Sequence, residues 1–251
     1  MIVIPEKVAF IKVPKAASTT IARLFWDHYK VEQFGHLKPD VAAQIRYFMP
    51  LEKVGPQIPV LNGNWFYNRS GAFGWHTAYA ELKHLFGDQL ADYHWVASVR
   101  HPVARMFSAF SFQIAKKRID ASLCRRDFER FCEDVFSGGA RLTHQQRIHT
   151  WSQSYWLPDE GQDLDFSIIR QERIAEDIAR LSRRIPSFAR SNLGHSGLSF
   201  QGAWREYVSP QLESRIADHY ADDMDRFDYG VSRSSGAGLS ASPSARLATP
   251  G

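Results

Sequence analysis

Two cysteines, Cys124 and Cys132, are all that the 251 residues contain. Two thiols build no disulfide framework and their spacing fits no metal motif, so both read as reduced, packed thiols of a cytoplasmic protein. No window approaches about 18 uninterrupted apolar residues, which leaves no candidate for a membrane-spanning helix. The N-terminus lacks a basic region followed by a long apolar one, so it carries no signal-peptide pattern. Charge of one sign is also scarce: 31 Lys and Arg against 27 Asp and Glu leave a formal net charge of +4. That excess is too small for the basic stripe of a nucleic-acid binder, and it suits an anionic ligand held in a local cleft. There is no internal repeat.

What is present is an ordinary globular composition, 44% hydrophobic and 23% charged, at a length that suits one sizeable domain. Residues 8–13, 93–99 and 166–170 (VAFIKV, YHWVASV and FSIIR) are short β-branched and aromatic runs that predict strands. Between them, helical spacing predicts helices from the loop after Pro14 to about Tyr29, from His76 to a C-cap at Gly87, and from Pro102 to about Lys117. Further helices are expected over 126–136, 141–151, 172–185 and 211–227. Residues 38–70, rich in Pro, Gly and Asn, read as long loops with one short strand at 59–62. Residues 232–251 are mainly Ser, Gly, Ala and Pro without apolar periodicity, so a folded domain over 1–231 and a disordered tail are expected. Strands alternating with helices argue for an α/β fold with a central parallel sheet, and ligands of such sheets sit at the carboxyl ends of the strands.

Two loops fall at that end. In the first, a strand ending in Val13-Pro14-Lys15 opens on Ala16-Ala17-Ser18-Thr19-Thr20 and a helix. A helix N-terminus offers free N–H groups and a positive dipole end. Ala16 and Ala17 let an anion approach the backbone, Ser18, Thr19 and Thr20 add hydroxyls, and Lys15 adds a full charge. The blander alternative is an ordinary helix cap beside a solvated lysine. The loop has no glycine and its lysine precedes the small residues, so it is not the G-x-x-x-x-G-K-[ST] loop of nucleotide kinases. In the second loop, VRHPVARMFSAF, Arg100 ends a strand and Ser108 lies two helical turns past Pro102. A guanidinium there can fork onto a phosphate, with Ser108 closing a clamp, or else form a structural salt bridge.

VPKAASTT resembles the 5′-phosphosulfate loop of sulfotransferases that use 3′-phosphoadenosine-5′-phosphosulfate (PAPS), especially their carbohydrate branch. VRHPVARMFSAF is similar to the family's 3′-phosphate signature, with His101 in place of the commoner Asn or Asp. WHTAY resembles the stretch with the proposed catalytic histidine of uronyl 2-O-sulfotransferases. HTWSQSYWL, DFSIIRQERIAEDIARL, SNLGHSG and YADDMDRFDYG are similar to later family segments, so the resemblance spans about residues 8–230.

It implies a P-loop-like three-layer fold with helices on both faces of the sheet, PAPS as co-substrate held by residues 14–20 with Arg100 and Ser108, and no metal. The implied reaction is in-line transfer of a sulfuryl group to a carbohydrate hydroxyl. Lys15 would neutralise the leaving phosphate and His76 would be the base, its imidazole kept neutral by a helix N-terminus. His149 is the other candidate base, and Glu81 a weaker one. Arg190, Ser191 and Asn192 are candidates for adenosine contacts by position alone. Trp65, Tyr67, Trp75, Trp151 and Trp156 are candidates for stacking on sugar, although at least half are expected in the core. A P-loop kinase and a non-catalytic binding module are the rival readings. The acceptor's identity is not legible.

Overall fold

In the computed structural model, residues 2–3, 6–28, 45–46, 76, 78–116, 118–189 and 203–230 are described. Among them are five strands: β1 (Ile2–Val3), β2 (Val8–Ile11), β3 (Ile45–Arg46), β4 (His94–Val99) and β5 (Phe166–Arg170), in the order β3-β1-β2-β4-β5. β2, β4 and β5 are parallel, with Ala9 opposite Trp95 and Ala97 opposite Ile168. The expected parallel sheet is therefore present in its three longest strands. The two-residue strands β1 and β3 add antiparallel pairings too short to carry a periodic signal.

β2 and β4 are buried along their whole length, as strands covered on both faces must be. Ala9 and Ile11 pack with Trp95, Ala97 and Val99, and with Tyr79 and Leu82 of α2 (Tyr79–Phe86). Phe10, pointing the other way, meets Phe25 of α1 (Ser18–His28), which packs at a tilt against Phe188 of the one-turn helix Pro186–Ala189. A second core joins α3 (Pro102–Ala115) and α4 (Arg125–Phe136) through Phe107, Phe110, Phe128 and Phe131. β5, at the sheet edge, buries only Ile169 fully and is followed by α5 (Ile174–Leu181).

Three expectations are corrected. His76 does not open a helix, because α2 begins at Tyr79; its first turn is held by the Glu81 carboxylate, which accepts from the Ala78 N–H at 2.7 Å. Its end is where it was expected, immediately before Gly87, from which the chain goes on into a 3-10 turn, Gly87–Leu90. Residues 141–151 hold a single helical turn, His144–Arg147, closed by a capping box between Thr143 and Gln146. The last helix breaks at Tyr220 into α6 (Pro210–His219) and α7 (Ala221–Arg226). The strand expected at 59–62 and the tail lie outside the described residues.

Candidate active site

β2 ends at Ile11, and a turn over residues 14–17 delivers the chain to α1 at Ser18. Lys15 (φ 63°) and Ala17 (φ 60°) are both left-handed. A side-chain-bearing residue pays roughly 1–2 kcal/mol for that conformation, and such strain gathers at ligand clamps. Alternating left-handed and ordinary residues turn neighbouring N–H groups to one side, forming a concave nest for an anion at a helix N-terminus. Pro14, Ala16 and Ser18 are buried, Lys15, Ala17 and Thr20 half-buried, and Thr19 exposed.

Lys15 Nζ lies 3.8 Å above the centre of the Phe112 ring of α3. Burial lowers its pKa to about 8, helped by the like charges of Arg100, Arg118 and Lys116. No carboxylate is among its perturbing neighbours. Cations brought together without acidic partners make a place for a multiply charged anion.

Arg100 follows the last residue of β4 and is 7% exposed. Its backbone is clasped by Gln153, whose Oε1 accepts from the Arg100 N–H at 2.8 Å and whose Nε2 donates to its carbonyl at 2.9 Å. Gln153 is held in turn by buried Asp223 of α7. That carboxylate accepts from the N–H of Gln153 at 2.7 Å, the N–H and hydroxyl of Ser154 at 2.9 Å each, and the hydroxyl of Ser152 at 2.6 Å. The guanidinium is placed differently. Arg100 Nε is buried without a hydrogen-bond partner, and no ion pair engages Arg100 among the described residues. Glu172 is the carboxylate that acts on it, without a direct ion pair. Burial lowers the Arg100 pKa to about 10, so it stays a cation at neutral pH.

Ser108 is half-buried, three residues after Arg105 and four before Phe112, on the α3 face that meets the Lys15 loop. No hydrogen bond joins it to Arg100 among the described residues. His101 makes no side-chain cap for α3. Its N–H donates to Glu172 at 2.7 Å and its ring stacks on Trp204, which fills the place of the usual capping residue with packing.

His76 stands across the Lys15 loop. Its Nδ1 donates to the Lys12 carbonyl at 2.5 Å, which leaves the lone pair on Nε2. Burial, with Lys12 and Lys15 nearby, lowers its pKa to about 3. The imidazole is thus neutral at pH 7, through desolvation rather than the helix end expected from the sequence. The His149 ring is edge-on to it with centroids 5.9 Å apart, and Trp156 lies at the same distance. Trp156 is core, Trp151 is half-buried and stacked on it, and exposed Tyr155 completes the ledge. Glu81, half-buried and engaged at the start of α2, serves that helix. Trp65, Tyr67, Trp75, Arg190, Ser191 and Asn192 lie outside the described residues.

Residues 2–230 match the Sulfotransferase family. The chain belongs to that family. No curated protein and no solved structure matches it.

In this sulfotransferase several organising residues were not singled out from the sequence. Arg105, 1% exposed, donates to the carbonyls of Pro14 at 3.5 Å, His149 at 3.1 Å and Trp151. It therefore ties the anion loop to the segment carrying His149. Its place in R-H-P-V-A-R was visible, but nothing local shows that a cation will be neutralised by carbonyls from two distant loops. Gln153 is the glutamine of the H-x-x-x-Q pattern in HTWSQSYWL, expected on the acceptor side, and Asp223 lies in another quoted stretch, but their partners lie 53 and 70 residues away. Among the described residues no group of His, Cys, Asp and Glu could hold a metal ion.

Proposed function

We propose that this sulfotransferase moves a sulfuryl group from PAPS to a hydroxyl of a carbohydrate. The observation that carries the reading is the set of cations around the strained Lys15 loop, with no carboxylate among the groups that perturb Lys15 and with the Arg100 Nε buried and unpaired. A donor with one phosphate at each end of its ribose fits two such sites: residues 14–20 would hold the phosphosulfate, and Arg100 with Ser108 the 3′-phosphate. PAPS supplies an activated sulfuryl group. The acceptor oxygen forms a bond to sulfur as the bond from sulfur to the bridging phosphate oxygen breaks.

The chain's own contribution is placement and charge. Lys15 offsets the negative charge that grows on the leaving phosphate. His76 takes the acceptor hydroxyl's proton on Nε2, the nitrogen its Lys12 bond leaves free. Tyr155 and half-buried Trp151, next to Trp156 beneath His76, offer flat apolar faces of the kind that stack on sugar rings, which supports a carbohydrate acceptor.

The test is transfer of radiolabel from PAPS to a panel of glycans, with wild type beside His76→Ala. Label should pass to at least one glycan, and His76→Ala should lower kcat about 10²–10⁴-fold with PAPS affinity nearly unchanged. Labelling of no glycan overturns the acceptor class. An unchanged kcat removes His76 as the base.

A further inference from the structure

Helix α3 grips His149 at two points eight residues apart. Arg105 Nη1 donates to its carbonyl at 3.1 Å, and the Gln113 amide Nε2 lies 3.0 Å from its ring Nδ1. Gln113 is wholly buried and His149 is 7% exposed. An amide N–H can only donate, so Nδ1 accepts and the ring proton sits on Nε2. Turning the amide over would leave both of its N–H donors unpaired in the core, in place of the one N–H and the oxygen that lack partners now, and a buried N–H without a partner is the rarer of the two. His76 has the opposite tautomer, with its proton on Nδ1 toward the Lys12 carbonyl. Two neighbouring imidazoles therefore present one bare and one protonated Nε2, and neither Nε2 has a hydrogen-bond partner among the described residues.

We propose that Gln113 is a positioning residue that fixes the proton of His149 on Nε2, making His149 a hydrogen-bond donor to the sulfuryl oxygens rather than a second base. Only the identity of the accepting group rests on the sulfuryl-transfer reading; the tautomer does not. The charged and titratable groups around the ring are His76, Lys15, Arg118 and Arg105, with no carboxylate to support an imidazolium. Burial and these charges hold its pKa down at about 2, so His149 donates as a neutral ring. A neutral donor loses no proton during the reaction, so base and donor keep separate duties within one histidine pair.

The experiment is ¹⁵N NMR of the histidine rings in the full chain, with and without PAP, the desulfated donor. His149 is assigned from the signal lost in His149→Gln. Wild type should show His149 protonated at Nε2 and His76 at Nδ1. Gln113→Glu places a carboxylate where the amide donated and should move the His149 proton to Nδ1. With PAPS and whichever glycan takes label, Gln113→Glu should lower kcat about 10²-fold, the scale of one lost preorganised donor. His149→Gln, whose amide N–H reaches the same place as Nε2–H, should stay within about tenfold of wild type, while His149→Ala falls about 10²-fold. His76→Gln, an amide in place of a base, should lose about 10²–10⁴-fold. A wild-type His149 protonated at Nδ1, or a tautomer indifferent to Gln113→Glu, overturns the positioning role. An equal loss in His149→Gln and His149→Ala overturns the donor role. If no glycan takes label the function falls, and the wild-type spectrum still decides the tautomer.

Discussion

Lys15 is held where a positive charge is unfavourable: half-buried beside Arg100, Arg118 and Lys116, with the face of the Phe112 ring as partial support. An incoming anion relieves that repulsion, and developing charge on a leaving group relieves it further. Lys15→Ala should therefore lower kcat by about 10²-fold or more while the fold persists, since little packing is lost. Far-ultraviolet circular dichroism beside a transfer assay checks both halves. The depressed pKa adds a sign. Below about 8 Lys15 is charged and attracts a phosphate; above that value it becomes neutral. Affinity for PAP, measured by calorimetry, should thus fall as pH rises through about 8, and Lys15→Met should remove that limb. The His76 pKa of about 3 lies far below the ordinary 6.5, so the transfer rate should show no acid limb near pH 6.5. An inflection there that disappears in His76→Ala would show that desolvation is weaker than this site implies.

The backbone of Arg100 is fixed because elements remote in sequence agree on it. β4 brings it to the sheet edge, Gln153 clasps its N–H and carbonyl, and Asp223 of α7 ties down the Gln153 turn. Gln153→Met leaves two buried backbone groups unpaired, each worth about 1–3 kcal/mol. It should lower the melting temperature and also weaken PAP binding, though Gln153 offers the ligand nothing itself. A variant that melts lower but binds PAP as wild type would detach the clasp from the site. This arrangement also explains what could be read in advance. β2, β4 and β5 were legible because residues such as Val8 to Ile11 are apolar throughout, and the loop before α1 because Pro14 stops one element just where Ser18 starts the next. The helix expected from His76 was not, because the Glu81 carboxylate fixes its start at Tyr79. The helix over 141–151 shrinks to one turn for a similar reason: Thr143 caps its start, and past Arg147 the N–H groups of His149 and Thr150 turn to carbonyls three residues back, while Arg105 and Tyr220 hold the carbonyls of His149, Thr150 and Trp151. Lys15 and Arg100 were legible from their loops; Gln113, Arg105 and Asp223 act through contacts that no local pattern encodes.

Across the described residues, positive charge gathers around Lys15 with no carboxylate among the groups that perturb it. A site of this kind costs stability in the empty protein and returns it on binding. The neutral histidines add a pH dependence of known sign. His76 and His149 have folded pKa values of about 3 and 2 against the ordinary 6.5, so the unfolded chain binds their protons first as pH falls. Their contribution is complete above about pH 6.5 and is lost progressively below it. Lys15 works in the same direction at the basic end: between about 8 and 10.5 only the unfolded chain keeps the proton, so the ligand-free fold gains stability as pH rises there. An anion that fits should override both trends near neutrality. At a PAP concentration about 100 times its Kd, mass action contributes about 2.7 kcal/mol, which for a chain of this size raises the melting temperature by roughly 5–10 °C. Arg100→Met keeps the bulk of the side chain and removes its buried charge. It should match or exceed wild type in melting temperature without ligand and lose most of the PAP-induced rise, since one charge-assisted bond to phosphate is worth about 1.5–3 kcal/mol. Differential scanning fluorimetry with and without PAP measures both quantities. Were Arg100→Met less stable than wild type when empty yet stabilised as strongly by PAP, the guanidinium would be supporting the fold, and the 3′-phosphate would have to be held elsewhere.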